Sequence, residues 1–575
     1  MTKPDGKNLL YAVTAFAASA VLLTLIQLPF RLSFLAWVAY VPFILIALSE
    51  RRTPYLVVAS YVVAFVYWLG NIYWVSYVTV SGWIVFCAYT ALLWPLLVLT
   101  LRFCREKKVP LIIAVPLLIV GIEHLQGSLL GGFNWRHLAH SQYANISLIQ
   151  IADIFGAAGV SFLLAMVNGF VVEFIFALRA GKLAGISFIS KWAIVLCALV
   201  ATSFYGRYRI NESNRTFEQG PIIAAVQSNL PQSVKDSEQF DVNRQVFERL
   251  LVLSKAAAAA RAQLVVWPET IIPSALDKAF WSFLADPSEN IFFHNALCEH
   301  ARQGVYVLVG APGADARYEQ DQTVSLEKYN SALLYEPRGD QAPLKYNKIH
   351  LVPFGEVVPF KHSIPWLYNL LMKFSPYDFD YNLTPGTQFT VFDMTGGPVP
   401  RQYHFGVMIC YEGTVARIAR GFALDESRAK KVDWLVNISN DGWFVKFTND
   451  RVRPSTELQQ HTLACVFRAV ENRLSILRSV NTGISCLIDP LGRIRNGYLA
   501  GDLPDQALAR AGMEGYFADS VVIDRRATIF SRFGQWLDTG CVAVVWFVLI
   551  LLILAPVVRN IREKAGSNAK RKAPR

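Results

Sequence analysis

The pattern of apolar and polar positions divides the chain into three parts. Apolar residues come in blocks at 9–28, 33–48, 55–78, 83–101, 110–125, 154–178 and 192–205, and one more block lies at 541–558. About 20 apolar residues suffice for a helix to cross a bilayer. The blocks therefore predict seven spans before a middle part of ordinary globular pattern, and an eighth after it. No clear small-residue cleavage site ends the first block, and further spans follow, so it reads as an anchor. The stretch 126–150 breaks the pattern, with Asn134, Trp135, Arg136, His137, His140 and Gln142 between two spans. Polar backbone at membrane depth survives only under protein or beside a cavity. This predicts an extended arm near the outer interface, although an ordinary external loop fits the composition as well. Asp153, close to the next span, is expected at the interface.

Between 208 and 532 the period changes. Short apolar or alternating runs at 222–227, 264–267, 305–310, 332–335, 403–409, 434–438 and 483–488 read as strands, with helical patterns such as 256–262 and 457–468 between several of them. Strands alternating with helices argue α/β, and a sandwich with helices outside is the natural form at this length. The expected architecture is a polytopic helical membrane domain over 1–207, an α/β domain over 208–532, and a final span with a basic tail over 533–575.

Composition sharpens this division. Of 575 residues only 17% are charged and 53% are hydrophobic, which is too oily for a wholly soluble enzyme. The net charge of +12 comes with basic clusters beside the spans: Lys3 and Lys7, Arg51 and Arg52, Arg102 to Lys108, Arg179 and Lys182, and the tail from Arg559 to Arg575. All fall on one side if seven spans precede the middle domain. By the positive-inside rule that side is cytoplasmic, and the middle domain is then periplasmic in a cell with two membranes. The middle domain shows no basic patch interleaved with base-stacking groups, so no nucleic-acid partner is expected. The eight cysteines form no CxxC pair and no zinc-spaced Cys/His cluster, so neither a metal site nor a disulfide framework is indicated. A lone reactive cysteine is permitted.

Three strand ends carry candidate chemistry. In LVVWPET, Pro268 stops a strand and delivers Glu269. KYNKIHLVPFGEVVP packs Lys345, Lys348, His350 and Glu356 into one polar stretch, between Pro353 and Pro359 at its far end. HFGVMICYEG ends an apolar run at Cys410. Taken singly, each has a plainer reading: a turn carboxylate, a solvated loop, a small core hydrophobe. Taken together, they supply a thiol nucleophile, a base to take its proton and a cation for the oxyanion.

At these residues the chain resembles the nitrilase superfamily of carbon-nitrogen hydrolases. With the spans around them it is similar to the apolipoprotein N-acyltransferases. WPE, YNKIHLVPFGE, ICYE and SNDGWF are close matches, and the resemblance covers nearly the whole chain. It implies an αββα sandwich on an eight-helix membrane domain. By matched residue it implies Glu269 as general base, Lys348 as oxyanion stabiliser and Cys410 as nucleophile. Glu356, Tyr411 and Glu412 would position the site, and Asn440 and Asp441 would shape its wall. It further implies two-step acyl transfer without a cofactor, at the bacterial inner membrane. The donor would be a phospholipid, phosphatidylethanolamine foremost, and the acceptor the amine of a diacylglyceryl-cysteine on an apolipoprotein. The family pattern places a tryptophan just beyond the lysine that follows QSNLPQ; here Lys235 is followed by Asp236.

Two apolar segments of the middle domain suit lipid substrates. One holds Trp281 and Phe283, the other Trp366, Leu370, Leu371 and Phe374. Exposed apolar patches mark membrane or partner sites, so these are expected as arms dipping into membrane lipids; ordinary core helix is the alternative. Two rival functions remain. A membrane-anchored amidase would use the same three residues. A transporter would need charges inside the spans, where Glu123 and Glu173 are the chief candidates.

Overall fold

The computed structural model describes residues 6–571 apart from 233–238, 273, 319–323, 359, 362, 374–380 and 449–450. Lys235, Asp236, Pro359 and Phe374 lie outside the described residues. Among the described residues, five helices are long and apolar enough to cross a membrane: Thr53–Asn71, Val80–Glu106, Ala157–Arg179, Ile186–Thr216 and Trp536–Ala555. Shorter apolar helices at Leu9–Leu25, Ser33–Ala47 and Leu111–Gln126 coincide with the other expected spans.

The helix ends sort by charge. At one end Arg102 donates to the carbonyls of Ala47 and Ser49, and Arg105 pairs with Glu50. At the other end Trp74 meets Phe444 of the middle domain edge-on at 4.9 Å. The final helix docks on Leu111–Gln126 at Gly121, where a Cβ would stand 2.7 Å from the Cys541 carbonyl oxygen. Only glycine permits that approach.

The stretch 126–150 differs from expectation. It is a run of tight turns, with His140, Ser141 and Gln142 buried, and not an extended arm. Gln126 ties its start together by donating to the carbonyls of Phe133 and Trp135. Asp153 is buried, paired with Arg209 and with Arg473 of the middle domain.

Among the described residues the middle domain has fourteen strands: β1 (Glu218–Gln227), β2 (Leu264–Val266), β3 (Tyr306–Tyr318), β4 (Val324–Glu336), β5 (Asp340–Asn347), β6 (Val391–Gly396), β7 (Arg401–Ile409), β8 (Trp434–Ser439), β9 (Lys446–Thr448), β10 (Arg451–Arg453), β11 (Ser475–Val480), β12 (Cys486–Ile488), β13 (Ala500–Gly501) and β14 (Gly515–Ile523). One sheet runs β13-β14-β1-β2-β3-β4-β5 and a second β12-β11-β8-β7-β6. Both have parallel centres, β1-β2-β3 and β7-β8-β11. Period-two alternation sorts the first sheet's side chains. Ile223, Ala225, Leu264 and Val266 share a core with Phe405, Val407, Val436 and Ile476 of the second sheet. Ala224, Val226 and Val265 pack on helices Phe240–Ala259 and Ser288–Ala301. Helix Thr456–Asn472 buries Cys465, Val466 and Val470 in the core shared with the second sheet. The result is a four-layer helix-sheet-sheet-helix sandwich.

Several strands escape the hydrophobic pattern. β5 runs to Asn347, into the stretch 345–359 that reads as a polar loop, because an edge strand half open to water carries polar side chains. β11 carries Arg478 at its centre, which disguises a fully buried strand.

Candidate active site

Each candidate residue leaves a strand end that points to one place. Glu269 follows β2 by way of Pro268. Its turn lies so close on β3 that a Cβ at Gly310 would come within 2.8 Å of the Glu269 Cα. Lys348 directly follows β5, and Cys410 directly follows β7. Cys410 has φ +53°, a left-handed conformation uncommon for a residue with a side chain.

Buried hydrogen bonds join Glu269 and Lys348. Lys348 Nζ stands 3.4 Å from Glu269 Oε1 and 2.8 Å from Glu356 Oε2. The side chain of Lys348 is 1% exposed and that of Glu269 8%. Asn330 of β4 donates through Nδ2 to Glu269 Oε1 at 2.7 Å and Glu356 Oε1 at 2.9 Å. Its carbonyl accepts the Lys348 backbone N–H at 2.8 Å. The Asn440 N–H donates to Glu269 Oε2 at 2.9 Å. Burial acts to lower the Lys348 ammonium, but Glu356, Glu269 and Cys410 outweigh it and hold it well above the ordinary lysine range. Burial and the Glu269 charge push the Cys410 thiol well above its ordinary value, against Lys348 and a hydrogen bond with Ser439. This environment favours the protonated thiol.

Lys345 takes no part in this cluster. It points to the other side of β5 and pairs with Asp277 at 2.6 Å and Asp315 at 2.8 Å. The three-residue spacing is odd, so along a strand the two lysines face opposite ways.

The supporting residues sort as follows. Glu412 is buried beneath the Cys410 turn. It accepts from Ile349 N, His350 N, Ile409 N and Tyr346 Oη, at 2.7–2.9 Å. One carboxylate thus ties the lysine loop to the cysteine turn. Tyr411 donates to the Gly132 carbonyl at 2.6 Å and stacks between His350 and Trp135. The turns after Leu111–Gln126 thereby touch the residue next to Cys410. Asn440 bridges to Gln232 and Asn481. Asp441 is no wall residue. It is fully buried, accepts from Ser439 Oγ at 2.6 Å, and lies 3.5 Å from His461 Nδ1.

Asn330, Asn437 and His461 were not legible in advance. Asn330 sits mid-strand and His461 mid-helix, where neighbours in sequence carry no sign of the site. Asn437 and His461 both donate to the Cys410 carbonyl, at 3.2 and 3.1 Å. Asp441, Glu457 and His461 bring donor atoms within 4.8 Å of one another, a spacing a metal ion could use. Arg478 Nη2, however, stands 3.7 Å from Asp441 Oδ2. That guanidinium is buried with the cluster and would repel a bound cation.

The apolar segments behave differently from each other. Trp281 packs inward, donating to the Ala275 carbonyl and meeting His294 edge-on. Phe283 is exposed. Helix Pro365–Met372 buries none of its residues; Trp366 is 69% and Leu370 44% exposed, and Leu371 is half-buried.

Comparisons with known proteins cover both parts. Residues 19–170 match the family model of the apolipoprotein N-acyltransferase N-terminal domain, and residues 222–499 that of the carbon-nitrogen hydrolases. The apolipoprotein N-acyltransferase of Geobacter metallireducens is 30% identical, over 88% of this chain and 89% of its own. That of Bdellovibrio bacteriovorus is 27% identical, over 87% and 85%. Among solved structures, an amidase from Nesterenkonia sp. AN1 aligns with 53% of this chain and 90% of its own, at 14% identity and a TM-score of 0.33.

Proposed function

The chain belongs to the apolipoprotein N-acyltransferase family, and from that premise we propose that it moves an acyl chain from a phospholipid, through a thioester on Cys410, to the amine of a lipoprotein's diacylglyceryl-cysteine. The observation that carries the reading is the buried Glu269–Lys348 pair, 3.4 Å apart, whose charges act on the Cys410 thiol at the end of β7.

Glu269 takes the thiol proton as sulfur attacks the phospholipid ester carbonyl. Lys348, held as an ammonium, faces the oxyanion. The C–O bond breaks, Glu269 returns the proton to the departing lysophospholipid, and a thioester remains. The lipoprotein amine then attacks that carbonyl. The C–S bond breaks, and Glu269 passes the amine proton to the cysteine sulfur. Two half-reactions through one covalent intermediate give ping-pong kinetics. Asn330 and Glu356 fix the Glu269–Lys348 pair, and Glu412 fixes the two loops that carry lysine and cysteine.

The membrane frame supports a lipid donor. The nucleophile turn meets turns of the membrane domain through Tyr411, Trp135 and Gly132. Exposed Phe283, Trp366 and Leu370 suit contact with lipid. The charge sorting of the helix ends favours a bacterial inner-membrane protein with its catalytic domain on the periplasmic side.

The test mixes purified protein with phosphatidylethanolamine and a diacylated lipopeptide. N-acylated peptide is the expected product by mass spectrometry. Free fatty acid with unmodified peptide would favour a membrane-anchored amidase-type hydrolase instead.

A further inference from the structure

The cluster beneath Cys410 has no part in the steps above, yet it touches the nucleophile's own backbone. Cys410 sits at φ +53°, a conformation that persists only where the surroundings impose it. Its carbonyl leaves the β7 ladder and accepts two side-chain donors, Asn437 Nδ2 at 3.2 Å and His461 Nε2 at 3.1 Å. Asn437 is itself fixed by Arg478 Nη1, which donates to its Oδ1 at 2.6 Å. The other nitrogen of His461 lies 3.3 Å from Glu457 Oε1 and 3.5 Å from Asp441 Oδ1. All of these side chains are buried.

We propose that His461 is a positioning residue for acyl transfer: as an imidazolium held between Asp441 and Glu457, it clamps the Cys410 carbonyl and keeps the thiol aimed at Glu269 and Lys348. The inference rests on the acyl-enzyme reading and adds a group to it. The chemistry of the ring explains why the charge matters. Two carboxylates on the Nδ1 side keep a proton on Nδ1, so the proton that leaves at high pH is the one on Nε2. Nε2 then turns from donor to acceptor and faces a carbonyl oxygen, which repels it. The clamp is lost without any change in packing.

The groups facing the ring are few. Asp441 comes from the turn after β8, Glu457 from the same helix and Arg478 from β11; the Cys410 thiol follows on β7, with Glu269 and Lys348 beyond it. Trp135 closes one side with an uncharged indole, 5.8 Å from the ring centre. Burial and Arg478 oppose the charged ring, but Asp441 and Glu457 outweigh them and raise it to about 10.

Removing one carboxylate should bring the loss of the proton into reach. The experiment follows the rate of acyl-adduct formation on Cys410 in the full-length protein with phosphatidylethanolamine, from about pH 6.5 to about pH 9.5. The wild-type rate should hold or rise across this range as the thiol becomes easier to ionise. Glu457→Gln should instead lose at least about threefold between the low and high ends. Asp441→Asn is expected to do the same and serves if Glu457→Gln does not fold. His461→Gln, with no proton to lose, should be slower throughout and show no alkaline fall. A merely structural ring would leave the shape of the profile unchanged. Wild-type-shaped profiles in both carboxylate variants, with adduct formed at the low end, would overturn the clamp. Absence of any adduct in the wild type would overturn the acyl-enzyme reading itself, a different failure.

Discussion

Lys348 and Lys345 stand three residues apart and face different carboxylates, which makes them a natural pair of probes. Lys348→Ala leaves Glu269 and Glu356 buried without their cation. It should lose at least about 10²-fold in adduct formation and about 3–5 kcal/mol of stability. Lys345→Ala removes the partner of Asp277 and Asp315 on the far face of β5. It should lower the melting temperature while adduct formation stays near wild type. The reverse pattern in a mass-spectrometric adduct assay would move the oxyanion role to Lys345. His461 gives a second test. Its folded pKa is raised to about 10, above an unfolded value of about 6.5. Its stabilising contribution is complete below about pH 6.5 and is lost as pH rises towards 10. The melting-temperature difference between wild type and His461→Gln should therefore shrink across that window. Glu269 and Cys410 could be singled out because each ends an apolar run with a polar group, whereas Lys348, in a stretch read as a polar loop, was singled out by the match of YNKIHLVPFGE. Asn330 and His461 were not, because their roles arise only when β4 and helix Thr456–Asn472 pack against loops distant in sequence.

At the scale of elements, hydrophobic blocks located the membrane helices well because lipid imposes length and composition together. The same signal could not resolve 126–150, whose polar groups are satisfied by neighbours such as Gln126, Gln27 and Ser161 and so fold into turns. In the sandwich, strands with an apolar face were visible, while β5 and β11 were hidden by lysine and arginine. The two expected lipid arms also part company. Trp281 is fastened inside the domain, whereas Pro365–Met372 is a largely apolar helix with no buried residue among those described. Replacing both Trp366 and Leu370 by serine should raise KM for phospholipid in mixed micelles several-fold, with kcat little changed. An unchanged KM would remove this helix from lipid capture.

At the scale of the whole molecule, the membrane bundle and the sandwich are joined through buried charge. Asp153 accepts from Arg473 at 2.7 Å, Arg209 at 2.8 Å and Tyr205 at 2.7 Å, while Gln150 reaches the Leu491 carbonyl. Arg473 is fully buried, so Asp153→Asn should cost about 3–5 kcal/mol. Thermal unfolding and protease cleavage at the junction would show it. No single segment forecasts this contact, since Asp153 reads locally as a polar residue near a helix start. The same junction sets the Cys410 turn against turns of the membrane domain, and on the proposed function that contact directs a nitrilase-type site towards lipid. The most direct test of that claim is the mass of the Cys410 peptide after the protein meets phosphatidylethanolamine of defined chains without acceptor. The expected result is one acyl chain on Cys410, absent in Cys410→Ala and discharged when diacylated lipopeptide is added. An adduct that persists in Cys410→Ala, or N-acylated peptide formed without any acyl-Cys410, would contradict it.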